Sequence, residues 1–133
     1  MASVHPELHR FNGHGWVLPE AERARLLGRF PPRYALVIAH HVTFAAKGAA
    51  MPDVADAEIV GHADDGVGVE ALVVRIGGTT DRPDGSTWHV TWSLEAGRAP
   101  RESNDVIRDR GWTTFDDPVP VRLERAGTLR PIN

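Results

Sequence analysis

The tripeptide His-Val-Thr occurs twice in the chain, at 41–43 in "IAHHVTFA" and at 89–91 in "TWHVTWSL". Both copies lie in runs rich in β-branched, aromatic and other apolar residues, which is typical of β-strands. Successive side chains of a strand point to opposite faces of its sheet. Each copy therefore directs its Val toward a core and presents its His and Thr together on the other face.

The remaining pattern predicts an α+β fold with a largely antiparallel sheet. Residues 1–17 are polar and rich in Gly and His, so we expect an arm or loop there. Strands are predicted at about 34–45, 55–63, 66–78, 87–96 and 118–126. Asp-Asp-Gly at 64–66 indicates a hairpin between two of them. Helices are predicted at about 19–30 and 100–111, packed outside the sheet and on one side of it.

Length and composition exclude several classes of protein. The 133 residues suit one domain, 1–133, and the absence of cysteine excludes disulfides and thiolate metal sites. There is neither a signal-peptide pattern nor an apolar run of about 20 residues, so we expect a cytoplasmic protein without membrane contact. A net charge of −3 argues against binding along a long nucleic-acid duplex. A small anionic ligand, or the end of an RNA strand, needs only a few local cations.

The two motifs carry the residue types that phosphodiester hydrolysis requires. If the two strands are close, His41 and His89 can act as general acid and general base near neutral pH. Thr43 and Thr91 can hold the non-bridging oxygens of a phosphate and stabilise the charge that develops on them. Two imidazoles perform both proton transfers, so neither a metal nor another cofactor is expected.

Paired His-x-Thr motifs on strands resemble those of the 2H phosphoesterases, in particular the cyclic phosphodiesterase domain of plant-type tRNA ligases. The similar pieces are "IAHHVTFAAK", "EALVVRIGG", "WHVTWSLEAGRAPRESND" and "DPVPVRL", within about residues 30–123. The two histidines are 48 residues apart, which is short for 2H enzymes, and the kinase and adenylyltransferase domains of tRNA ligase are absent from the 133 residues.

The resemblance implies a 2H-type fold with a central groove. It also implies hydrolysis of RNA 2′,3′-cyclic phosphate ends to 2′-phosphates, as in RNA repair or splicing. The expected partner is then an RNA 3′ end or a 2′,3′-cyclic nucleotide. His41 and His89 would be the catalytic residues, and Thr43 and Thr91 would bind the phosphate. We assign the base to His89 and the acid to His41, although the pseudo-symmetry of the motifs leaves the reverse assignment open.

Four further residues are candidates for substrate binding. Lys47 follows the first motif, and Ser93 continues the strand face of the second. Arg98 and Arg101 follow the second motif, where the loop opens the second predicted helix, whose N-terminal amides favour anions. Aromatic side chains that could stack a base, although each suits the core better, are Trp16, Tyr34, Trp112 and Phe115.

Two other interpretations stay open. The first is a histidine metal site, as in cupins, built from His40, His41, His62 and His89. It is disfavoured because His40 and His41, as neighbours in a strand, should point to opposite faces, which leaves His40 a packing or orienting role. The second is a non-catalytic module that binds RNA ends or nucleotide phosphates. Turnover of a cyclic nucleotide separates such a module from an enzyme.

Overall fold

A computed structural model of the chain describes residues 14–45 and 56–125, and within them it is α+β with a mostly antiparallel sheet. The strands are β1 (His14–Val17), β2 (Leu36–Val37), β3 (His41–Ala45), β4 (Ala57–Asp64), β5 (Val69–Ile76), β6 (His89–Leu94), β7 (Thr113–Pro120) and β8 (Glu124–Arg125). The helices are α1 (Glu20–Arg29) and α2 (Glu102–Arg110), and neither is long and apolar enough to cross a membrane.

The sheet is strongly curled. Its strand order is β7-β4-β5-β6-β3-β1-β8, with β2 also paired to β6, and the pairings are antiparallel. Strands lie about 4.8 Å apart, so a flat sheet in this order would separate β7 from β8 by roughly 29 Å. Only residues 121–123 join these two edge strands, and that segment spans at most about 14 Å. The two edges must therefore curve toward each other.

The two faces of the sheet carry separate apolar clusters. Successive residues of β5 alternate between them: Leu72 and Val74 belong to the cluster inside the curl, and Val73 belongs to the cluster outside it. Leu26 of α1 joins the inner cluster, whereas Ile107 of α2 joins the outer one. The two helices consequently pack on opposite faces, and the expectation that both lie on one side was wrong.

Several predicted elements agree with the structure. Both helices begin and end within two residues of their predicted positions. β4 and β5 form the predicted hairpin, and the Asp65 carboxylate stabilises its turn by accepting the backbone N–H groups of Val67, Gly68 and Val69. Such side-chain acceptance of turn amides is why Asp is favoured in tight turns.

Two strands of the sheet were misjudged. β1 lies in the predicted arm, because the polar composition of 1–17 conceals the buried Trp16, which packs edge-on against Trp88. β7 begins five residues before its prediction, because residues 113–118, most of them exposed, lack an apolar pattern and the strand is an edge strand paired with β4. The alternation of Val119, Val121 and Leu123 does bury these side chains in the inner cluster.

Candidate active site

The antiparallel pairing of β3 with β6 brings the two His-Val-Thr motifs together. The register pairs Val42 with Val90, the central residues of the two copies, and both side chains are buried in the inner cluster. The His and Thr of each motif therefore project from the outer face. All four line one groove of about 300 Å³. The remaining lining residues are Arg82, Pro100, Arg101 and Asn104.

Arg82 is the principal site residue that the sequence reasoning missed. It is only 8% exposed, and its guanidinium donates to the Thr43 carbonyl (3.1 Å), the Asn104 side-chain oxygen (3.0 Å) and the Ser86 hydroxyl (2.7 Å). A cation held in this way can bind an anion without reorganising. Its segment, "TTDRPDGS", shows turn residues only, and nothing local indicates that the arginine folds back onto β3 and α2.

His89 is buried and has a defined orientation. Its Nδ1 lies 2.9 Å from the carbonyl of Thr87. A carbonyl only accepts, so Nδ1 carries a proton and Nε2 is the nitrogen left for chemistry. Burial lowers the pKa of His89, the positive charge of Arg82 lowers it further, and the bond to Thr87 partly offsets both. The ring is therefore neutral at pH 7, as a general base must be.

His41 is half-buried, and its neighbour is another imidazole. The Nδ1 atoms of His40 and His41 are 3.1 Å apart, with the rings edge-to-face. Burial lowers the pKa of His41 to about 4, and the charges of His40 and His89 add to the effect. One Nδ1 must donate while the other accepts, so this bond holds only while at least one ring is neutral.

The expectation that His40 faces away from His41 was wrong, because the strand alternation does not extend to His40. Between the pair Val37–Ser93 and the pair Val42–Val90, the segment from β2 to β3 covers five residues, whereas the facing stretch of β6 covers only three. The two stretches are therefore out of step, and the segment before His41 is irregular. Ala39, in this irregular stretch, has φ 44°, a left-handed conformation that is uncommon for a residue with a side chain. β3 consequently begins only at His41, and the predicted strand 34–45 is divided in two.

The two threonines differ in their surroundings. The Thr91 hydroxyl donates to the Pro100 carbonyl (3.1 Å) and lies 2.9 Å from the Ser103 hydroxyl, so it connects β6 to the start of α2. Thr43 is half-buried, and within residues 14–45 and 56–125 its hydroxyl makes no hydrogen bond. Thr43 is thus the hydroxyl more readily available to a ligand.

The other predicted binding residues are distributed differently. Arg101 lines the groove. Ser93 is fully buried outside it, where its hydroxyl donates to Glu70 (2.6 Å) and accepts the backbone N–H of Tyr34. Arg98 is paired with Asp65 and Glu102 and does not line the groove. Lys47 lies outside the described residues.

The four histidines of the metal interpretation do not converge. His62 is bonded to the buried carboxylate of Glu70 (2.9 Å), apart from the groove that His41 and His89 line. In the described part of the chain, no group of three or more His, Asp or Glu side chains is placed to hold a metal ion.

Comparison of this chain with protein-family models, curated proteins and solved structures finds no match. A function must therefore be inferred from the chemistry of the groove itself.

Proposed function

We propose that this protein is a metal-independent 2′,3′-cyclic phosphodiesterase that opens the cyclic phosphate of RNA ends and leaves a 2′-phosphate, as in RNA repair or splicing. One observation carries the proposal: both histidines and both threonines of the doubled motif line a single groove together with the buried Arg82. That combination offers a base, an acid and donors for a phosphate within one small volume.

In this mechanism His89 is the general base. Its Nε2 removes a proton from a water molecule, and the water oxygen forms a bond to phosphorus. The P–O3′ bond breaks on the opposite side, and the O3′ oxygen takes a proton from His41. The product carries a 2′-phosphate and a free 3′-hydroxyl, and the two histidines exchange protons with solvent before the next turnover.

The acid role of His41 depends on the bound substrate. Without an anionic ligand its pKa is about 4, so it is neutral at pH 7. An anionic phosphodiester in contact with the ring favours the charged form and raises this pKa. A neutral His40 can accept the Nδ1 proton of the His41 imidazolium, which leaves the second proton, on Nε2, for the leaving oxygen.

The remaining groups of the groove stabilise the transition state. Arg82 and the hydroxyl of Thr43 contact the non-bridging oxygens, on which negative charge accumulates. Arg101 adds a solvent-exposed cation at the start of α2. Thr91 reaches the phosphate when its hydroxyl turns from the Pro100 carbonyl, so we expect Thr43 to contribute more.

The direct test is turnover of adenosine 2′,3′-cyclic phosphate by the purified protein in the presence of EDTA, with the products separated by chromatography. We expect adenosine 2′-phosphate and no loss of rate on adding the chelator. Formation of the 3′-phosphate alone would show that the P–O2′ bond breaks instead of the P–O3′ bond. Loss of activity with EDTA and its recovery with zinc or manganese would favour a metal-dependent mechanism.

A non-catalytic module that binds RNA ends is the second candidate. The low pKa of His41 favours it, because two neutral imidazoles beside two arginines can accommodate a phosphate without transferring a proton. Such a module would bind the cyclic nucleotide and return it unchanged, so tight binding without product formation would support this candidate over the enzyme.

A further inference from the structure

A second cavity of about 570 Å³ adjoins the groove. The two share Arg82, His89 and Asn104, so a ligand whose phosphate lies between the histidines can extend into this cavity. Its lining also includes the apolar side chains of Ile107 and Trp112. A cavity of this size, lined by polar groups together with two large apolar side chains, suits a small organic ligand.

Trp112 is placed as a rigid platform on that wall. Its indole ring lies directly on the backbone of Gly61, where an added Cβ would collide with the ring and with the carbonyl of Thr113. The other three tryptophans of the chain, Trp16, Trp88 and Trp92, are at most 4% exposed, whereas Trp112 is only half-buried. An aromatic face held in this way is the kind of surface on which nucleobases stack.

A third cavity, of about 630 Å³, continues beyond Trp112. It shares Gly111 and Trp112 with the second cavity and is lined further by Arg33 and Arg110. Arg33 is paired with the carboxylate of Asp64, while Arg110 is exposed in the last turn of α2. The three cavities thus form one path along the outer face, with arginines lining all three and Trp112 shared by the second and third.

We propose that this path binds the last two nucleotides of a single-stranded RNA, with the terminal base stacked on Trp112 in the second cavity and the preceding nucleotide entering the third. The inference rests on the proposed function, which places the cyclic phosphate in the groove. The combination of cations along the path with an aromatic platform is the arrangement that proteins use for single-stranded nucleic acid. The enzyme is therefore selective for the nucleoside as well as for the phosphate.

The test compares three substrates: ribose 2′,3′-cyclic phosphate without a base, adenosine 2′,3′-cyclic phosphate, and the dinucleotide ApA with a 2′,3′-cyclic phosphate. Stacking is worth about 5- to 150-fold per base, so we expect kcat/KM to rise by about 10- to 100-fold when the base is added. The dinucleotide should gain a further several-fold. Trp112→Ala should remove most of the gain from the base, mainly through KM.

Matched variants guard against indirect effects. Trp112→Leu keeps apolar volume in the outer cluster and should lose the same selectivity with the fold retained. Arg110→Ala should reduce the gain from the second nucleotide, whereas Arg122→Ala, an exposed arginine on the segment joining β7 to β8, should leave all three substrates unchanged. Equal kcat/KM for the abasic and adenosine substrates would overturn the nucleoside site and leave the phosphodiesterase proposal standing.

A measurement of nucleotide binding tests the proposed nucleotide site independently of catalysis. Because Trp112 is the one tryptophan with an accessible ring, stacking of adenosine 2′-phosphate should quench the fluorescence of the wild-type protein but not that of Trp112→Phe. Quenching in a protein that turns over none of the three substrates would contradict the proposed enzyme and support the nucleotide site. Absence of quenching at saturating nucleotide would refute the site.

Discussion

The two copies of His-Val-Thr have the same sequence and different environments. In the second copy, His89 is buried with Nδ1 bonded to a backbone carbonyl, and Thr91 is bonded to the start of α2. In the first copy, His41 is half-buried and bonded to a second imidazole, and the Thr43 side chain faces the groove. Antiparallel pairing makes the copies nearly symmetric in position, and their partners make them chemically unequal.

In the proposed mechanism, this difference lets one tripeptide serve two roles. A backbone carbonyl cannot titrate, so the tautomer of His89 is constant and its Nε2 stays available to accept a proton. The partner of His41 can itself gain or lose a proton, so the charge of that pair responds to what the groove binds. General acid–base catalysis requires this inequality, because one group must begin neutral and the other charged.

The largest expected effect is the loss of either histidine. His41→Ala and His89→Ala should each lower kcat by about 10²- to 10⁴-fold, and the double variant should lose little more because the two act as one unit. Rates on adenosine 2′,3′-cyclic phosphate, with circular dichroism to verify folding, provide the measurement. A folded single variant with the wild-type rate would show that the corresponding copy is structural.

The next largest effects should come from the two threonines, whose replacement should affect the two copies of the motif differently. Thr43→Ala should lower kcat by about 10- to 1000-fold with little change in stability, as loss of one donor to a developing oxyanion does. Thr91→Ala leaves Ser103 and the Pro100 carbonyl without their partner, and it should reduce the free energy of unfolding by about 1–3 kcal/mol. Urea denaturation and kinetics on both variants, with Thr→Ser at each position as the control, measure the contrast. Equal stability losses would remove this distinction.

The pH dependence of kcat should reveal the different partners. We expect a bell: activity falls at low pH as His89 becomes protonated, and at high pH as bound His41 loses its proton. The His40 charge lowers the pKa of His41, so His40→Gln should raise it and move the high-pH limb upward, with the low-pH limb unchanged. Movement of the low-pH limb alone would assign the acid to His89 instead.

The last effect concerns the pH dependence of stability. The pKa of His41 is about 4 in the folded protein, against about 6.5 in an unfolded chain, so the unfolded state binds more protons between these values. Stability should therefore fall as the pH is lowered from about 6.5 to 4, with His41 contributing about 2–3 kcal/mol and His89 a change of the same sign. Urea denaturation at pH 7 and 4.5 should show a smaller loss for His41→Gln than for the wild type. An equal loss of stability in the two proteins would show that His41 does not contribute to the pH dependence.

Local pattern was enough to locate both helices, the β4–β5 hairpin and the strand that carries the second motif. These elements have strong signals of their own, namely proline and acidic residues at a helix start, Asp-Gly between apolar runs, and alternation. It was insufficient for β1 and β7, whose strand character comes from pairing with β3 and β4 rather than from composition. Local pattern was also insufficient for Ser93. Strand alternation placed its side chain beside that of Thr91, whereas the hydrogen bond to Glu70 holds it outside the groove.

The sequence by itself determined which chemical groups are present and which neighbours share a strand face, because alternation in a strand is a property of the backbone. It therefore supplied the His and Thr of both motifs and the direction of Val42 and Val90. Only the tertiary structure decided that Arg82 folds back onto Thr43, that His40 reaches His41, and that Trp112 rests on Gly61. In each contact, a residue outside the regular elements meets a strand: Arg82 comes from a loop, His40 from the irregular stretch before β3, and Trp112 from the connection between α2 and β7. Such geometry depends on how the sheet curls rather than on local spacing.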